Sequence, residues 1–141
     1  MVDLPAKRKS FNELITALEG NERRLIARVA DAPDTPKNRK LLRHVIGIER
    51  WGQRRLQTLL GEPFIQDEYD GYQPADSLSF PELRETFSQT RRASVALAQE
   101  LQRRNVAKTA IVRHNDAGDM SVAGWLRYFA LHATGEMRRI K

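Results

Sequence analysis

The chain has 141 residues, of which 40% are hydrophobic and 30% charged, which fits one soluble globular domain rather than a disordered chain. It has no cysteine, so it forms no disulfide and has no thiolate nucleophile, and any metal must be held by nitrogen and oxygen. The net charge of +6 raises a nucleic-acid reading, but the basic residues come largely as scattered pairs such as Arg23-Arg24, Arg54-Arg55, Arg91-Arg92, Arg103-Arg104 and Arg138-Arg139, with Glu22, Glu49, Glu100 and Glu136 close by, the pattern of solvated helix faces.

Residues 1–10 contain no apolar core segment, so no secretory leader is expected. No stretch approaches the roughly 18 apolar residues of a membrane span, and a cytoplasmic protein is the default expectation. The first helix starts at Ser10, where Ser10-Phe11-Asn12-Glu13 has the form of a capping box. Phe11, Leu14, Ile15, Leu18, Leu25, Ile26 and Val29 follow at helical spacing, and the segment around Pro33 ends it. Thr35-Pro36 reads as an N-cap with proline in the first turn. The second helix then runs to about Leu60, where Gly61 offers a stop. Its stripe is Leu41, Leu42, Val45, Ile48, Trp51, Leu56 and Leu59, and His44 falls within it.

Residues 61–78, with Gly61, Pro63, Gly71 and Pro74, form a long connection with acidic and aromatic residues between. At roughly 3.3 Å per residue it reaches about 60 Å, against about 37 Å for a 25-residue helix, so it can return the chain along the bundle and let helices two and three run parallel. A second capping box, Ser79-Phe80-Pro81-Glu82, opens the third helix, with Leu83, Phe87, Leu97 and Leu101 on its stripe and an end near Asn105. Thr90 and Ser94 make the middle of that face small and weakly polar, which suits close helix packing or one wall of a pocket. Residues 106–120 connect onward, with an extended stretch near Thr109–Val112 and a turn at Asn115-Asp116-Ala117-Gly118. Ser121 caps the fourth helix, whose stripe is Val122, Trp125, Leu126, Phe129, Ala133 and Ile140. His132 and Glu136 lie on the face of Trp125. Four amphipathic helices and two long connections predict an all-α four-helix bundle, one domain over residues 1–141.

An imidazole aimed at a hydrocarbon core needs partners for its ring nitrogens. His132 and Glu136 are four apart and project one above the other, and His44 can reach them from another helix: nearly level if the start of the second helix and the end of the fourth share one end of the bundle, and about 4 to 5 Å off in height if the two helices run parallel. The three make a candidate metal site. The plainer alternative is two satisfied core histidines and an ordinary i,i+4 pair. His114 reads as an exposed loop histidine in a segment able to fold over a site. Glu49, five residues from His44, reads as solvent-facing or at most behind a ligand. Trp51 and Trp125 read as core anchors, and Tyr128 as the polar group beside the site.

Two stretches carry a resemblance: His44-Val45-Ile46-Gly47-Ile48-Glu49, and the turn-then-helix segment Arg113-His114-Asn115-Asp116-Ala117-Gly118-Asp119-Met120-Ser121 leading to His132-Ala133-Thr134-Gly135-Glu136. In order and spacing nearly the whole chain resembles the DinB-like superfamily of metalloenzymes. The resemblance implies a bundle of up-down-down-up connectivity and a divalent metal, zinc or nickel first, held by three histidines. The first falls on His44, the second on His132 and the third on Glu136, where this chain departs from the pattern. His-His-Glu is a workable set for a divalent ion, and the same change also fits a scaffold that has lost its metal. The resemblance further implies a thiol-dependent S-transferase acting on a small-molecule substrate with a low-molecular-weight thiol, and a homodimer. The competing readings are a non-catalytic small-molecule-binding bundle and, last, a basic nucleic-acid binder, since no motif serves groove reading or base stacking.

Overall fold

Ser10 and Ser79 start their helices by the same device: each hydroxyl accepts from the backbone N–H three residues on, and the glutamate there returns the bond to the cap's own N–H. In a computed structural model that describes residues 8–141, these caps open α1 (Phe11–Val29) and α3 (Phe80–Arg103). Residues 1–7, which carry most of the stretch read as lacking a leader, lie outside the described residues. The Thr35 hydroxyl caps α2 (Pro36–Gln57) and the Ser121 hydroxyl caps α4 (Val122–Met137). The second helix tightens into a 3-10 turn at Thr58–Leu60 and stops at Gly61, whose φ of +105° lies in the left-handed region that glycine tolerates. The crossover holds a 3-10 turn at Tyr69–Tyr72. Between α3 and α4 the chain forms an antiparallel hairpin, β1 (Ile111–His114) with β2 (Gly118–Ser121), in which Val112 pairs with Met120 and His114 with Gly118.

The direction of each helix follows from which residues meet. Asn21 bonds Thr134 and Arg28 reaches the carbonyl of Arg138, so α1 and α4 run parallel. Gln102 bonds Asn12 and Arg84 reaches the carbonyl of Ala30, so α3 opposes α1. Gln53 meets Ser94 while Asn38 meets Lys141, so α2 runs with α3 and against α4. The result is a four-helix bundle of up-down-down-up connectivity, with the long crossover between α2 and α3 that the sequence predicts. Each of α1 and α2 packs on both α3 and α4. At Gly52 the α2–α4 approach leaves no room for a side chain: a Cβ there would collide with the Phe129 ring and lie 3.2 Å from Trp125.

Two apolar clusters fill the bundle. One joins Leu18, Trp51, Leu101 and Trp125 to the hairpin residues Val112 and Met120. The other gathers Val29, Leu42, Val45, Phe87, Ala133 and Met137. Both tryptophans are core anchors, as expected; Trp125 Nε1 donates to the Val112 carbonyl at 3.0 Å and Trp51 Nε1 to the Asp67 carboxylate at 3.1 Å.

Two charged residues are placed differently from the sequence reading. Glu49 does not face solvent; it is 1% exposed and Arg91, read as part of a solvated pair, is 0% exposed. Arg91 Nε and Nη2 donate to the two Glu49 oxygens at 2.9 and 3.0 Å, and Nη1 donates to Asn21 Oδ1 at 2.8 Å and to the Leu18 carbonyl at 3.0 Å. Ser94 Oγ donates to Glu49 at 2.6 Å, and Gln53 bonds Ser94 and the Thr90 carbonyl, each at 2.8 Å. The weakly polar middle of α3 therefore serves a buried ion pair that gathers groups from the bundle's helices. The physical reason is angular: five residues along a helix are about 140° around it. His44 and Glu49 consequently face different neighbours of α2, the first α4 and the second α3.

Candidate metal centre

The start of α2 and the end of the chain are tied together by Asn38, whose Nδ2 donates to the Lys141 carbonyl at 3.0 Å. Counting from that end, His44 and His132 come level on antiparallel helices, as the height argument allows. Their Nε2 atoms stand 3.2 Å apart. His44, His132 and Glu136 each offer a ligand atom within 4.8 Å of the others, and all three are half-buried. Two nitrogens bound 2.0–2.1 Å from one tetrahedral zinc stand about 3.3 Å apart, so the two imidazoles already hold the bite of a single ion. The donor set, nitrogen and carboxylate oxygen, suits zinc and its divalent neighbours. The residues present thus fit a divalent metal. In this structure Glu136 Oε2 instead accepts from Arg139 Nη1 at 3.1 Å.

Burial holds His132 down to about 4, with the neighbouring His44 ring acting the same way and the Glu136 carboxylate opposing. The ring is therefore neutral near pH 7, the state in which imidazole ligates metal. Tyr128 lies beside the site as expected, its ring centroid 5.6 Å from that of His132. Burial pushes its phenol up to about 12, with Asp116, Tyr69 and Glu136 adding to the effect, so it stays a hydrogen-bond donor. On the other side Tyr69 meets His44 edge-on at 5.0 Å. Tyr69 comes from the crossover and escaped the sequence reading, although the aromatic residues of that segment were its signal. The crossover packs closely on α2 at Gly47, where a Cβ would stand 2.8 Å from Gln73 Cγ.

His114 is not an exposed loop residue. It closes β1, is 5% exposed and sits among Trp51, Trp125 and Tyr128 at centroid distances of 5.0, 5.2 and 4.9 Å. Its Nδ1 accepts from the Asp116 and Ala117 amides at 3.0 and 3.1 Å, which fixes the tautomer with the proton on Nε2. That Nε2 has no hydrogen-bond partner among the described residues. Burial lowers its pKa, Asp116 opposing and Arg55 assisting. The short polar sequence around it hid this, because a hairpin folded onto an aromatic cluster buries what a free loop exposes.

Two of the triad, His44 and Glu136, line a cleft of about 910 Å³ between the first turns of α2, the crossover and the end of α4, with Tyr69 and Gln73 also on its walls. That volume is within the range of small-molecule sites. No helix among the described residues is long and apolar enough to cross a membrane. Comparison of the chain with protein-family models, with curated proteins and with solved structures finds no match.

Proposed function

We propose that the protein is a divalent-metal-dependent enzyme of the DinB-like type, with His44, His132 and Glu136 as the ligands. The observation that carries this reading is the 3.2 Å separation of the His44 and His132 Nε2 atoms, with a carboxylate in the same 4.8 Å group at the edge of a ligand-sized cleft. Zinc or nickel is the favoured ion. A divalent ion held by three protein groups supplies a Lewis acid with an open position, at which a thiol or a water becomes acidic near neutral pH. The rest falls to this chain's own side chains. His132 presents a neutral ring nitrogen and His44 a second imidazole, and Glu136 supplies the one carboxylate of the set. Tyr128, its phenol pushed up to about 12, is a donor beside His132, and Tyr69 packs edge-on against His44. Thiol transfer to an electrophilic small molecule is the reaction class we favour, on the resemblance of the two histidine segments to DinB-like proteins.

A second reading is a small-molecule-binding bundle without metal. It is favoured by the Glu136–Arg139 ion pair and by the direct approach of the two imidazoles, which an N–H···N hydrogen bond also accounts for. Elemental analysis of purified protein and titration with zinc, nickel and manganese separate the two. The enzyme reading expects one equivalent bound and weakened binding in both His44→Ala and Glu136→Ala. Failure to bind any of the three metals leaves the second reading.

A further inference from the structure

The walls of the cleft are unusually cationic. Lys37, Arg39, Lys40 and Arg43 reach it from the first two turns of α2, and Arg139 from the end of α4, against only the carboxylates of Asp76 and Glu136. Two of the five cations are engaged: Arg39 with Asp34 at 3.1 Å and Arg139 with Glu136 at 3.1 Å. Among the described residues Lys37, Lys40 and Arg43 have no carboxylate partner. Arg43 is also held in place, because its Nε donates to the Pro74 carbonyl at 3.1 Å and so plants a half-buried guanidinium in the wall beside His44. Lys40 and Lys37 lie four and seven residues before His44, about 6 and 10 Å down the helix, so positive charge continues from His44 along the first turns of α2. A concave wall of one sign focuses its field and concentrates the opposite charge.

We infer that this cleft binds a small molecule carrying an oxyanion group, carboxylate or phosphate, with Arg43 and Lys40 as the principal contacts. Where it places the reacting end of that molecule rests on the proposed metal centre; the charge recognition does not. A guanidinium anchored at one nitrogen still offers two others to an oxyanion in fork geometry, while the ammonium of Lys40 adds a movable point charge. A concave cleft of this volume suits a small molecule rather than the long, convex face of a nucleic acid.

The test uses the full chain, chelator-treated and zinc-loaded in parallel, at low salt. The probes are succinate, its neutral isostere succinamide, inorganic phosphate and a short single-stranded oligonucleotide, with binding read by calorimetry and by chemical shifts of residues lining the cleft. Succinate or phosphate is expected to bind the metal-free protein and to weaken as salt rises. Succinamide, and the Lys40→Gln/Arg43→Gln variant with succinate, are expected to bind about tenfold more weakly or worse. Arg92→Gln, outside the cleft, is expected to change nothing. Whether succinate or phosphate binds more tightly identifies the oxyanion. The inference is overturned if neither anion binds, if succinamide matches succinate, if the double variant matches the parent, or if only the oligonucleotide binds. Charge-dependent succinate binding by a protein that takes up no zinc would end the metal reading and leave this one standing.

Discussion

The Nε2 atoms of His44 and His132 meet at 3.2 Å across an interface between antiparallel helices, brought there from positions 88 residues apart in the chain. At that distance one ring donates to the other, or both turn a lone pair toward one ion. Either way the pair is a single unit, and losing one ring should undo both arrangements. Replacing His44 or His132 by Gln should weaken zinc binding by roughly 100-fold, because a ligand nitrogen is lost from a three-ligand set. Competition against a chromophoric chelator measures this; affinities unchanged in both variants would remove these residues as ligands.

The metal-free protein should lose stability on acidification. His132 is held down to about 4 in the folded chain and His114 is also lowered, whereas both titrate near 6.5 when unfolded. Below 6.5 the unfolded chain therefore binds more protons than the folded one, so stability falls as pH drops from about 6.5 through about 4, and is insensitive to these groups above 6.5. For His132 alone the loss at pH 5 is about 2 kcal/mol. Urea unfolding at pH 7 and pH 5 checks it, and His132→Asn should flatten the dependence.

Arg91→Met should cost about 3–5 kcal/mol, because it strands the Glu49 carboxylate in the bundle interior. Replacing both residues, Glu49→Met with Arg91→Met, should cost less than the single change, since no unpaired charge is then buried. Equilibrium unfolding of the three variants decides the matter; a double variant no more stable than Arg91→Met would contradict this account.

Gly52→Ala should destabilise by about 1–3 kcal/mol, because the new methyl meets the rigid Phe129 ring inside a filled core. Pushing α2 from α4 also separates His44 from His132, so zinc affinity should fall together with stability. Unfolding and zinc titration of the same preparation test the coupling. Lost stability with unchanged zinc affinity would show that the close approach at Gly52 does not set the histidine separation.

Much of the fold was legible in one dimension because helix starts are local events. The hydroxyls of Ser10, Thr35, Ser79 and Ser121 satisfy N–H groups a few residues away, and the stop at Gly61 needs only a left-handed backbone. The bundle followed from periodicity and from the reach of the 61–78 crossover. The grouping of His44, His132 and Glu136 was legible as well, because an imidazole on an apolar stripe signals that something must meet it.

Glu49, Arg91 and His114 were not legible in this way. Each is buried by partners distant in sequence: Glu49 and Arg91 by each other across 42 residues, His114 by tryptophans from two helices. A charged residue reads as solvated until its counter-charge is known, and a polar turn reads as exposed until something covers it. The cationic cleft has the same origin. Lys40 and Arg43 look like an ordinary solvated face until the crossover folds back to make a wall with Pro74 and Tyr69. The sequence alone determined where helices begin, which faces are apolar and which three residues could share an ion. Only the tertiary structure decided which charges are buried and which line the cleft, because desolvation and ion pairing depend on neighbours that helical period does not encode.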